Sequence, residues 1–170
     1  MARAADITRV ARLLLEEEGR ESLTMRRLAD RLGIRAASLY KHLRGKEALE
    51  SMVVATGLDE LKEVLSTADG QLVAVARAYR SFGLAHPHLF GAMAEHPDLL
   101  LESVLALFDR EQPARARAAW ALAHGLVQLE LAARPPVDEI EAAWEAGLAA
   151  LAAGSTSPVR AVVRSWSGPD

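Results

Sequence analysis

Seven basic side chains crowd residues 24–46 of this 170-residue chain: Arg26, Arg27, Arg31, Arg35, Lys41, Arg44 and Lys46, with Asp30 the one acid among them. Groups of this kind at this density neutralise phosphates, and a guanidinium can also fork onto a guanine edge. The chain as a whole has a net charge of −3. Residues 1–50 hold eleven Lys/Arg and eight Asp/Glu, whereas residues 51–170 hold nine and fifteen. A local basic patch on an acidic body is the footprint of a phosphate-binding face. On charge alone, a solvated surface explains the patch equally well.

A second group lies far downstream. Trp120, His124 and Gln128 recur every fourth residue inside an apolar run, so they share one helix face. A buried imidazole needs a partner, which a ligand, Gln128 or a backbone carbonyl would supply. Other chemistry is poorly represented. His86, His88 and His96 are close in sequence, but Pro87 breaks the helix between the first two and no ExxH or HExxH spacing accompanies them; no metal site is expected. No nucleophile elbow, phosphate loop or paired-carboxylate motif stands out, so neither an enzyme nor a cofactor is expected. Cysteine is absent, which excludes disulfides and thiolate chemistry and fits a cytoplasmic location. No apolar run approaches the ~18–20 residues of a membrane span, and residues 1–6 lead into no signal-peptide core.

The elements that must position these groups are helical throughout. Ile7, Val10, Ala11, Leu14 and Leu15 follow helical period within a first helix over 4–19, which Gly19 ends. Thr24 is a good N-cap for a short helix carrying Met25, Leu28, Ala29 and Leu32, and Gly33 suits the turn that follows. A third helix is expected over 35–43 and a longer one from Lys46. Proline and glycine punctuation then suggests helices at 70–86, 88–94, 97–110, 113–134 and 137–153. The expectation is an all-α chain of about nine helices: a helix-turn-helix headpiece over 1–48, a helical bundle over 49–153, and a loose tail over 154–170. In that tail Val159, Val162, Val163 and Trp166 have docking potential.

On a helical wheel Ala36, Leu39, Tyr40 and Leu43 fall in one arc suited to packing. Arg35, Ala37, Ser38, Lys41 and His42 occupy the other side, with short residues in the middle and donors around them. A helix of that kind can approach base edges closely. The helix before it turns Arg26, Arg27 and Arg31 outward and offers its N-terminus, beside Thr24, to a phosphate. Lys46 can hold another.

The run LTMRRLADRLGIRAASLYKHLRGKEAL (residues 23–49) resembles the N-terminal DNA-binding domain of TetR-type repressors. The spacing of Gly33, Leu39-Tyr40, His42, Lys46 and Ala48-Leu49 carries the likeness. The resemblance implies phosphate contacts from Thr24, Tyr40, His42 and Lys46. It implies that Arg26, Ala36, Ala37, Ser38 and Lys41 lie at base edges, with Arg26 the foremost guanine reader. Arg35 departs from the small or polar cap usual there, and Leu43 replaces a frequent aromatic. The stretch AYRSFGLAHPHLFGAM (residues 78–93), with Trp120, His124 and Gly125, is similar to the Trp-His-Gly-marked branch of TetR-type C-terminal domains.

The remaining candidates follow from apolar faces. Met52, Phe82, Phe90, Met93, Trp120, His124 and Gln128 are candidates for an effector pocket, or simply fill the core. The helix at 113–134 has two apolar faces, and Leu122, Leu126, Leu129, Ile140, Trp144, Leu148 and Leu151 are candidates for a four-helix homodimer interface. The reading is a regulator, specifically a repressor, that binds a palindromic operator in double-stranded DNA and is released by a small apolar or aromatic effector. The alternative is a helical interaction module whose basic face binds an acidic partner.

Overall fold

Helical period in the sequence becomes helix almost wherever it occurs. The computed structural model describes residues 4–68, 72–105, 113–133 and 135–153, and every regular element among them is helical. In order these are α1 (Ala4–Glu18), a 3-10 turn (Arg20–Ser22), α2 (Met25–Leu32), α3 (Ala36–Leu39), α4 (Lys46–Ser66), α5 (Leu72–Ala85), α6 (Pro87–Ala94), α7 (Pro97–Leu105), α8 (Pro113–Ala133) and α9 (Val137–Ala153). The expectation of an all-α chain is met. The part of the expected 97–110 helix beyond residue 105, and the tail with Val159, Val162, Val163 and Trp166, lie outside the described residues. Pro87, Pro97 and Pro113 each open a helix, where the missing N–H has no intrahelical acceptor to lose.

The headpiece closes around Ile7, Ala11, Leu14 and Leu15 of α1, Leu28 and Ala29 of α2, Leu39 and Leu43, all buried. Its joint is made by backbone chemistry. Gly33 sits at φ 65°, ψ 29°. Its N–H donates to the Asp30 carbonyl at 3.2 Å, and the Ile34 N–H donates back to Ala29 at 3.0 Å. This pair of bonds satisfies the last carbonyls of α2 and reverses the chain. At the other end of α2 the Thr24 hydroxyl accepts from the Arg27 N–H at 3.2 Å.

The third helix is shorter than the 35–43 expected. Arg35 caps α3 with no side-chain hydrogen bond, and regular helix stops at Leu39. The chain continues as a tight turn in which the His42 N–H donates to the Leu39 carbonyl at 2.8 Å. Leaving α geometry there rotates Tyr40 out of the packing arc, and it is 58% exposed. Leu39 and Leu43 remain inside.

α4 runs unbroken from the headpiece into the body, so a division at residues 48/49 falls inside one helix. One continuous core extends from Ile7 to Leu148. α5 packs on α4 and α8, and α8 packs on α9. A Cβ on Gly83 would lie 2.7 Å from Val127 Cγ1 and 3.2 Å from the Phe90 ring, so α5 approaches α8 as closely as glycine permits. Arg80 ties three helices together. It forks onto Glu130 of α8 at 2.9 and 2.7 Å, reaches Glu141 of α9 at 2.7 Å, and lies 5.3 Å from the centre of the Trp144 ring.

Gly33 generates a stability prediction. A Cβ there meets no neighbour, so Gly33→Ala changes only the backbone preference. The left-handed conformation should make Gly33→Ala less stable by about 1–2 kcal/mol in urea unfolding, and Gly33→Asn by less. Equal midpoints for all three proteins would remove the joint from the account.

Candidate nucleic-acid interface and effector site

The basic residues of the headpiece fall into two electrostatic classes. Arg27 and Arg31 stand on the side of α2 that faces the end of α1. Arg27 pairs with Glu18, and Arg31 with both Glu17 at 2.7 Å and Glu18 at 2.6 Å. Arg27 and then Arg31 hold the Glu18 carboxyl below its ordinary pKa. Arg26, Arg35, Lys41 and Arg44 are exposed and make no ion pair among the described residues. Lys46 at the start of α4 stands 3.7 Å from Glu50, a loose contact that a phosphate can replace.

The candidate DNA residues lie on consecutive elements with an exposed side. Arg26 and Arg27 are exposed on α2; Ala37 and Ser38 are exposed on α3, and Ala36 is half-buried. Arg35 precedes α3, and Tyr40, Lys41 and His42 follow it, all exposed. Thr24 caps α2 through one lone pair and keeps its hydroxyl hydrogen for another acceptor. Arg44, outside the candidate set, is exposed just before Gly45. Its place in the basic cluster was the available signal.

The downstream residues converge only in part. The Tyr79 hydroxyl lies 2.9 Å from His124 Nδ1, and the His124 ring stacks on Trp120 with centroids 5.1 Å apart and planes 18° apart. Phe90 stands 5.6 Å from the imidazole and 5.4 Å from Tyr79. Burial depresses the His124 pKa, which keeps the ring neutral, and burial pushes the Tyr79 hydroxyl up. Phe82 and Met93 are buried, and Gln128 is half-buried with no side-chain bond among the described residues. Met52 does not join this group through a polar contact; its sulfur accepts from the Thr8 hydroxyl of α1 at 3.3 Å. Tyr79 was missed because its partner is 45 positions away.

The space beside this cluster, between α5, α7 and α8, is about 10 Å³ and lined by residues that include Ala76, Ala119, Trp120 and Ala123. That is room for one water at most. A wider depression of about 270 Å³ between α4 and α7 is lined by Ser51, Asp59, Lys62, His96 and Leu99, among others, and has no comparable convergence of buried polar groups.

The dimer candidates need correction as a set. Leu126, Ile140, Trp144 and Leu148 are buried within the single chain. Leu122 and Leu151 are half-buried, and Leu122 packs on Gly147 of α9. Only Leu129 is largely exposed, at 56%. The outer faces of these helices carry small residues instead: Ala114, Ala118, Ala121 and Ala132 on α8, and Ala142, Ala146, Ala149 and Ala153 on α9.

Comparisons with known proteins match both parts of the chain. Residues 7–50 match the family model for bacterial regulatory proteins of the tetR family, and residues 72–151 match that for the tetracyclin repressor-like C-terminal domain. An uncharacterized HTH-type transcriptional regulator of Mycobacterium tuberculosis is 33% identical over 89 residues, 49% of this chain and 41% of the relative. The class C tetracycline repressor protein of Escherichia coli is 43% identical over 61 residues, 36% of this chain and 24% of the repressor. These matches therefore span less than half the length of the curated relatives. Among solved structures, a TetR variant from Acinetobacter baumannii AYE in complex with minocycline is 27% identical with a TM-score of 0.67, covering 91% of this chain and 96% of that one. BioQ of Mycobacterium smegmatis shares the fold at 22% identity and a TM-score of 0.60, covering 90% and 97%.

Two predictions follow from this geometry. Glu18→Gln should release Arg27 toward solvent while Arg31 keeps Glu17, tighten binding to any duplex, and steepen the dependence of log affinity on log salt by about one. Arg26→Ala should instead relax the preference at one base pair. Fluorescence anisotropy across a salt series separates the two, and a Glu18→Gln slope equal to wild type would contradict the first. For His124 the depressed pKa means that the unfolded chain binds the extra proton more readily. Its contribution to stability is therefore present above the ordinary value of 6.5 and lost as pH falls below it. Urea midpoints should fall less steeply with acid in His124→Gln than in wild type; parallel curves would contradict this.

Proposed function

This chain belongs to the TetR family of transcriptional regulators, and on that premise we propose that it is a repressor that binds a palindromic operator as a homodimer and releases it when a small apolar or aromatic effector enters beside His124. The observation that carries the DNA half is the set of exposed cations on the helix-turn-helix, Arg26, Arg35, Lys41 and Arg44, which make no ion pair among the described residues. Phosphates are held by Thr24, Tyr40, His42 and Lys46. Arg26, Ser38 and Lys41 read base edges, and Ala36 and Ala37 offer thymine methyls an apolar surface. Such a regulator works in the cytoplasm, where the DNA is.

The dimer reading rests on the outer face of α8 and α9. Residues 118–129 carry no charge, and the outward alanines of α9 lie beside an equally small face of α8. Val137, at 71% exposure, and Leu129 add the larger apolar groups at the end where the two helices meet. Small residues let two such pairs approach closely and close a twofold four-helix bundle. A twofold dimer presents two reading heads to successive major grooves, about 34–36 Å apart.

Coupling follows from α6. Its Phe90 touches the His124 cluster, while its ends are held by the headpiece: the Leu89 N–H donates to Glu16 of α1 at 3.1 Å, and Glu95 pairs with Arg20. An effector that displaces Phe90 moves α6 and, with α4, changes the spacing of the heads. The effector acts only as far as it binds the two spacings differently. The similar structure from Acinetobacter baumannii was solved in complex with minocycline, which supports a small-molecule site in this fold.

The test is selection of bound DNA from a random pool. The expected product is a palindrome that outcompetes random duplex by about a thousandfold or more. Ala146→Arg, which places a charge in the proposed interface, should give a folded monomer without preference for the palindrome. Selection of no shared sequence would favour the alternative, a basic face that binds an acidic partner.

A further inference from the structure

The indole N–H of Trp120 is shut off from solvent and aligned with no acceptor among the described residues. It lies near the Tyr79 hydroxyl, close enough to offset a little of the upward push of burial on that group, without reaching hydrogen-bond geometry. The hydroxyl itself is engaged with His124 Nδ1 at 2.9 Å. A buried donor with no acceptor costs about as much as a lost hydrogen bond, and such a group in a native fold calls for an explanation. The same indole presents a flat wall, already stacked on the imidazole at 18°. Next to it Ala76, Ala119 and Ala123, with Leu72, Val75, Tyr79 and Val104, line a space of about 10 Å³. No charged side chain lines that space. Arg80, half-buried on α5, pairs with Glu130 and Glu141.

We propose that the effector site at Trp120 takes a flat, uncharged molecule bearing a carbonyl-type oxygen, which accepts from the Trp120 indole N–H while its ring slides between α5 and α8 over the three alanines. This deepens the effector half of the function given above and rests on it. Flatness is set by the Trp120 indole, which lines the space and is held in place by its stack on His124. The acceptor is set by the orphaned N–H. Absence of charge is set by the lining, because a carboxylate entering it would lose its water and gain no cation. The closed space opens to the extent that the new hydrogen bond and the buried ring favour the open state.

Three probes of matched size separate these requirements: acetophenone, ethylbenzene and benzoate. Each is titrated into the full-length protein while the Trp120 indole N–H resonance, assigned by its loss in Trp120→Phe, is followed by NMR. Acetophenone should bind at least tenfold more tightly than ethylbenzene and benzoate, and should move the indole resonance downfield. Trp120→Phe keeps an aromatic ring but no donor, so acetophenone and ethylbenzene should bind it equally. Equal binding of both to wild type would overturn the acceptor requirement and leave an apolar effector pocket standing. Tighter binding of benzoate would overturn the requirement for an uncharged molecule. No shift with any probe would overturn both the proposal and the placement of the effector site, while leaving the operator selection as an independent test of DNA binding.

Discussion

Glu16 reaches from α1 to the first turn of α6, and Arg20 reaches from the next turn of the headpiece to Glu95 just beyond its last turn. Arg20 also meets Glu50 of α4 at 3.4 Å. Arg12 faces Glu60 of α4 at 2.9 Å, close but not aligned for a hydrogen bond. Between its two held ends, α6 buries Leu89, Phe90 and Met93. A Cβ on Gly57 of α4 would come within 2.9 Å of Leu89 and Met93, so α4 and α6 are in close contact along this seam. Surface ion pairs of this sort are individually weak. Their importance is geometric: with α1 fastened to the start of α6 and the following 3-10 turn to its end, a shift of α6 has to be taken up by the headpiece or by broken pairs.

The same logic of paired and unpaired charge separates architecture from recognition. Arg27 and Arg31 spend their charge on Glu17 and Glu18 at the end of α1, and so hold α2 against α1. Arg80 does the equivalent for α5, α8 and α9. In the headpiece, the cations that make no ion pair among the described residues lie on the two sides of the Gly33 joint. The exposed part of α3 itself offers bases little beyond Ser38, because Ala36 and Ala37 have no hydrogen-bonding groups. In the proposed function, specificity then leans on Arg26 and Lys41 at its flanks, and on the distance between two headpieces that helices about a hundred residues downstream would set.

Much of this was legible in the sequence because local rules govern it. Period places α1, α2 and α4 through α9 within a few residues, and Thr24, Gly33 and the prolines mark ends for stated backbone reasons. The third helix was overextended because the wheel assumes α geometry, whereas the chain tightens after Leu39 and sends Tyr40 outward. Four of the dimer candidates, Leu126, Ile140, Trp144 and Leu148, are buried in the single chain for a different cause. A helix with two apolar faces does not say which one meets its own core, and in α8 and α9 the larger side chains turned inward while alanines stayed out. Arg80 with Glu130, and Tyr79 with His124, are joined across about half the chain, where no local pattern records them.

The central claim is that α6 carries the state of the cluster at His124 to the reading heads through Glu16 and Arg20. A double-mutant cycle on operator affinity tests it without any effector, using Phe90→Leu inside the cluster and Arg20→Ala at the clamp. The account predicts non-additivity of about 0.5–2 kcal/mol between two residues on opposite sides of α6, with the effect of Phe90→Leu reduced once the clamp is gone. Strict additivity, with both single variants folded, would contradict it.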